Sequence, residues 1–230
     1  MSERVVSAEY AGWFENVREV LETAYLSHEE PWRQSGMSGP EDRWVSLRKP
    51  VADCVDRSGA FLDIGCANGY LLECIRRWTA ERGLSVKPYG LDLSEKLVGM
   101  ARKRLPRFAH NFFVGNAFTW LPPRRFDYVR TELVYVPSEL EKQYVDFLIG
   151  NHLAEDGRLL VTNYIEGLED PQKGMLAGSH PTRCLAERLE ELGVRPERYM
   201  DGYDPIKERR MRVAVVQGAP MRWAEFFPAR

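Results

Sequence analysis

The sequence predicts an α/β protein of three layers: a mostly parallel sheet between two layers of helices, preceded by an N-terminal helical cap. Three observations carry this. From residue 60 onward, short apolar runs stopped by Gly, Asp or Asn alternate with segments of helical periodicity, as in sheets whose crossover helices cover both faces. Residues 61–70, FLDIGCANGY, run from such a strand through a glycine turn into a helix. Residues before 58 show helical spacing only, so residues 1–57 are expected to form the cap and 58–230 the α/β domain.

With 230 residues, 44% hydrophobic and 29% charged, the chain is too apolar for a disordered protein and lacks the period of a collagen or a coiled-coil rod. No apolar run reaches the ~18 residues of a membrane span. The start, MSERVVSAEYAGW, has no apolar core of a secretory signal, so a cytoplasmic location without membrane contact is expected. A net charge of −2 argues against a protein that mainly coats nucleic acid. Cys54, Cys66, Cys74 and Cys184, with His28, His110, His152 and His180, show no zinc spacing, and no metal is expected.

In order along the chain, Tyr10, Trp13, Phe14, Val17, Val20, Leu21, Ala24 and Tyr25 step by three and four and predict a helix over 7–27. Ser7 suits its N-cap. A loop rich in Gly, Pro and Ser follows. A second helix begins near Pro40, with Trp44, Leu47, Val51 and Val55 on one face. Pro50 inside it predicts a kink or two short helices. AFLDIG is the first strand and 70–82 a helix. VKPYGLDL is the second strand and 95–104 a helix N-capped by Ser94. NFFVGN and FDYVRT are the third and fourth strands. A helix over 138–153 precedes GRLLVTNY, and a helix over 181–192 precedes two tail strands, the last RMRVAVVQ.

The turn after the first strand limits what the chain can bind. Glycine lets the backbone turn tightly and lets a ligand approach it, and the helix that follows offers unpaired amides. A phosphate-binding P-loop needs a Lys after its last glycine, and none follows Gly69. A G-x-G-x-x-G dinucleotide turn fails at Ala67 and Tyr70. The remaining pattern is apolar-Asp-x-Gly-x-Gly-x-Gly, met by Asp63, Gly65, Ala67 and Gly69 with Ala67 at the middle glycine. The second strand ends in Asp92, 29 positions after Asp63, placed to accept hydrogen bonds from ribose hydroxyls. The third ends at Gly115-Asn116-Ala117. Residues 153–161, LAEDGRLLV, have the form Leu, polar residues, Gly, buried strand.

This ordered set, spanning 60–161, resembles the class I S-adenosylmethionine-dependent methyltransferases. The resemblance implies a Rossmann-like sheet of seven strands with an antiparallel last strand, and S-adenosylmethionine as cofactor, with S-adenosylhomocysteine as product. It implies that Asp63, Gly65, Cys66, Ala67, Gly69, Asp92, Leu93, Asn116, Ala117 and Thr131 lie around the cofactor. Two positions depart from the family: Ala67, and Asn116 where an Asp is common. Asn116 still offers an acceptor oxygen toward the adenine amino group.

Methyl transfer from a sulfonium needs alignment above all, and a base only where the acceptor must lose a proton. The Asp/Asn-Pro-Pro-Tyr sequence of amide and nucleobase methylases is absent after the fourth strand. Glu132 and Tyr164 close strands 4 and 5, and His180 sits in the following loop; these are the candidate catalytic residues. Tyr25, Trp32 and Arg43 are the candidate lid and substrate contacts. The reading is methyl transfer to O or N of a small molecule, with specialised metabolism as its expected setting, by a monomer or homodimer. Its alternatives are an RNA or protein methyltransferase, or a silent cofactor-binding scaffold of the same fold.

Overall fold

The computed structural model describes residues 7–164, 185–206 and 208–218. Helix α1 spans Ala8–Leu26 and α2 Glu41–Asp53. Then follow β1 Gly59–Ile64, α3 Tyr70–Ala80, β2 Val86–Asp92, α4 Glu95–Arg104, β3 Phe112–Val114, β4 Phe126–Thr131, α5 Glu141–Asn151, β5 Leu153–Tyr164, α6 Leu185–Glu191, β6 Arg198–Asp204 and β7 Arg209–Gln217. The seven strands form one sheet in the order β3-β2-β1-β4-β5-β7-β6. β1 to β5 pair in parallel, while β7 runs antiparallel to both β5 and β6.

Both faces of the sheet are buried, so its central strands read as continuous apolar runs. Ala60, Leu62 and Ile64 of β1 join one core with Tyr144 and Leu148 of α5 and Leu185 and Leu189 of α6. Phe61 points the other way, into a second core with Trp44 and Val51 of α2 and Leu72 and Ile75 of α3. The strand order reverses between β1 and β4, so the connections leaving their carboxyl ends diverge and open a crevice there. Helix α1 lies against that crevice. Phe14 and Val17 are buried, and Glu22 accepts hydrogen bonds from Ser94 Oγ at 2.7 Å and Lys96 Nζ at 2.8 Å.

Several boundaries differ from expectation for local reasons. Ser7 precedes α1, but its side chain makes no capping bond. Helix α2 continues through Pro50 instead of dividing. Pro50 has no N–H to give the Ser46 carbonyl, and that carbonyl lies against Gly202 of β6, where a Cβ would stand 2.6 Å from it. α5 ends earlier and β5 begins earlier than expected, because pairing with β4 starts at Leu153 and passes a register shift before Arg158. Gly157 makes that shift possible: a Cβ there would sit 2.8 Å from the Phe126 carbonyl oxygen. Of the helix expected over 181–192, the first four residues lie outside the described ones. No helix among the described residues is long and apolar enough to cross a membrane.

Candidate active site

The turn after β1 holds three residues in the left-handed backbone region: Gly65 at φ 71°, Ala67 at 45° and Gly69 at 75°. For Ala67 this conformation costs about 1–2 kcal/mol. Hydrogen bonds fix the loop around it. The Gly65 and Cys66 amides donate to the Leu91 carbonyl at 2.8 and 3.1 Å. The Ala67 amide donates to Asp92 Oδ2 at 2.8 Å. Buried Asn68 accepts from the Tyr70 amide at 3.1 Å and donates to the Pro31 carbonyl at 3.0 Å and to Gln34 Oε1 at 3.1 Å. The turn that opens α3 is thus tied to the segment between α1 and α2.

Two cavities flank this turn. The first, of about 50 Å³, is bounded by Asp92, Leu93, Asn116 and Ala117 at the ends of β2 and β3, and by Val17 and Leu21 of α1. Asp92 takes the amides of Ala67 and Ser94 (2.9 Å), leaving part of its carboxylate's four-site acceptor capacity. Burial raises its pKa, against the lowering effect of those amides. Asn116 Oδ1 accepts from the Phe118 amide at 2.8 Å, so its orientation is set from within its own loop.

The second cavity, of about 160 Å³, is bounded by Tyr25 of α1, Arg48 of α2, Asp63, Arg130 and Glu132. Arg130 organises it. Its guanidinium donates to Asp63 at 3.3 Å, Tyr135 Oη at 2.9 Å, Thr162 Oγ1 at 2.8 and 3.1 Å, and Glu132. All five of its N–H groups are thereby engaged. Thr162 in turn donates to Glu132 at 3.2 Å. Burial pushes the Asp63 carboxyl up to about 7, opposed chiefly by Arg130. Burial likewise raises the Tyr25 and Tyr135 phenols, so both are neutral hydrogen-bonding groups.

The structure brings together most of the residues expected around a cofactor. Gly65 borders both cavities; Asp63, Cys66 and Ala67 border the second. Gly69 instead packs on α4, where a Cβ would lie 3.0 Å from that of Ala101. Thr131 turns into the core, its hydroxyl 2.6 Å from that of Tyr144. Glu132 and Tyr25 reach the second cavity. Trp32 does not border either cavity; its indole donates to the Gly39 carbonyl at 2.9 Å. Arg43 is buried in an ion pair with Asp204 of β6 at 2.6 Å. Tyr164 ends β5 opposite Met211, with only its backbone described, and His180 lies outside the described residues. Arg48, Arg130, Tyr135 and Thr162 did not emerge from the sequence as site residues. The one available signal was an arginine inside the strand FDYVRT, whose Phe126, Tyr128 and Val129 are core residues.

Strand order, the antiparallel β7 and the turn after β1 together define the Rossmann-like fold of the class I S-adenosylmethionine-dependent methyltransferases. No protein-family profile and no curated protein matches the chain. Among solved structures, it is similar to the Burkholderia thailandensis 1,6-didemethyltoxoflavin N1-methyltransferase with bound 1,6-didemethyltoxoflavin and S-adenosylhomocysteine. That likeness has a TM-score of 0.64 at 16% identity over 95% of this chain and 93% of the other. It is also similar to the magnesium protoporphyrin IX methyltransferase of Synechocystis PCC 6803 with bound S-adenosylhomocysteine (0.60, 20%, 88% and 99%). A third likeness is to the (4+2)-cyclase SpnF (0.62, 16%, 89% and 96%).

Proposed function

We propose that the protein binds S-adenosylmethionine and transfers its methyl group to an oxygen or nitrogen of a small molecule. The observation that carries this is Asp92: a half-buried carboxylate at the end of β2, fixed by the amide of the glycine turn and bordering a cavity with Asn116 and Ala117. That is the arrangement a ribose and its base require. In this reading Asp92 takes the ribose hydroxyls and the Asn116–Ala117 segment the adenine. Asp63, Arg130 and Glu132 face the methionine end. The cofactor supplies an electrophilic methyl group on a good leaving group; the protein aligns it with the acceptor. Glu132 is tied to Arg130 and Thr162, which makes it a better positioning group for an amine or the cofactor's ammonium than a free general base. The small-molecule methyltransferases among the similar structures support a small acceptor, and residues 1–57 serve as the cap over the site.

The likeness to a cyclase favours a second reading, in which the fold is kept for chemistry other than methyl transfer. Calorimetric titration with S-adenosylmethionine and S-adenosylhomocysteine, with NAD and ATP as controls, tests the donor. Binding of the first two alone is expected, and binding of neither would overturn the proposal. Methylation of a panel of phenols, amines and hydroxylated small molecules then separates the two readings.

A further inference from the structure

Tyr135, in the 3-10 turn between β4 and α5, borders both cavities. Its ring packs so closely on Gly65 that a Cβ there would stand 2.5 Å from Cζ. Its hydroxyl accepts from Arg130 at 2.9 Å. The two cavities, about 50 and 160 Å³, are each below the roughly 300–1,000 Å³ of ordinary small-molecule sites. Their chemistry differs. The Asp92 side suits a sugar and base. The Arg130 side holds two carboxylates and two guanidinium groups, matching the ammonium and carboxylate of an amino acid. Val17, Leu21 and Gly65 border both cavities with Tyr135, so a ligand with a nucleoside at one end and an amino acid at the other would pass over Gly65, where the Tyr135 ring now packs.

We propose that Tyr135 is a gate inside the donor site: its ring swings off Gly65 to join the two cavities, and the Arg130 N–H it occupies passes to the ligand's carboxylate. The inference rests on the donor reading above. The exchange runs in a favourable direction, because a carboxylate is a stronger acceptor for a guanidinium than a neutral phenol. The local structure permits it. The flanking Leu133 and Val136 are 5% and 3% exposed and anchor the backbone, whereas the Tyr135 side chain is half-buried. A side-chain rotation, without backbone rearrangement, opens the channel.

Stopped-flow binding of two probes tests this on wild type, Tyr135→Ala and Tyr135→Phe. S-adenosylhomocysteine carries both ends; 5′-methylthioadenosine carries the nucleoside alone. Tyr135→Ala is expected to speed association of the first about tenfold, the factor for one hydrogen bond broken on entry, and to leave the second unchanged. Tyr135→Phe keeps the ring, frees Arg130 and is expected to fall between. Equal effects on both probes, or no acceleration of S-adenosylhomocysteine, overturn the gate. Failure of both probes to bind any of the three proteins overturns the donor reading, and the gate with it.

Discussion

Asp92 has two oxygens and gives each to one backbone amide, which holds the carboxylate in place before any ligand arrives. Asp92→Ala should therefore weaken S-adenosylhomocysteine binding by at least about 100-fold, from two lost bonds of ~1.5–3 kcal/mol each. Calorimetry measures this, with circular dichroism confirming the fold; unchanged affinity would remove Asp92 from the site. Spacing along the sequence is enough to find Asp92, Asp63 and Gly65, because each sits where a strand stops. Arg130 and Tyr135 stayed hidden for a physical reason. The partners that give Arg130 its meaning, Asp63 and Thr162, are 67 and 32 residues away, and no local pattern records them. Arg43 shows the converse: a polar residue on a cap helix suggested a ligand contact, but its charge is taken by Asp204, 161 residues away.

At the scale of elements, periodicity and breakers located all seven strands and the described α-helices, though not the short 3-10 turns such as Leu133–Tyr135, since each of the former buries an apolar face or run. Pro50 does not divide α2; the Ser46 carbonyl, which Pro50 leaves without an intrahelical N–H, lies against β6 at Gly202. Contact between α2 and β6 at Gly202 is accordingly tight. Gly202→Ala should destabilise the fold by about 1–3 kcal/mol through overpacking against the Ser46 carbonyl, seen as a lower urea midpoint at unchanged slope. Wild-type stability in that variant would mean the two elements are looser than the geometry implies. The end of α5 misled differently. The segment 153–157, LAEDG, carries no strand signal of its own, and the decision falls to the pairing of Leu153 with Phe126, a tertiary contact.

Across the whole molecule, a second buried titrating group lies beyond the site at the amino end of β5. His152 is buried between the rings of Trp120 and Phe147, at 5.7 and 5.1 Å. Burial, with Arg125 adding to it, pushes its pKa down to about 4. In the unfolded chain the imidazole takes its proton near pH 6.5. Its contribution is thus fully present above that pH and is lost as pH falls toward 4, up to roughly 3 kcal/mol. Asp63, with its carboxyl raised to about 7, works in the opposite sense over the same range. The two are separated by comparison with His152→Phe. Between pH 7 and 4.5 wild type should lose more stability in urea unfolding than the variant, by about 2–3 kcal/mol. Parallel pH profiles would show that the imidazole is hydrated in the fold.

The saturation of Arg130 has a consequence for how this pocket can be changed. With every N–H committed, replacing Asp63 or Glu132 alone leaves a buried cation short of a counter-charge, and replacing Arg130 alone leaves two acids facing each other. Single-site libraries aimed at new acceptors would therefore return mostly inactive or unfolded clones from these positions. Retuning the floor of the pocket calls for paired or triple replacements that keep its internal charge in balance, whereas the α1 side, lined by Val17 and Leu21, can be varied one residue at a time.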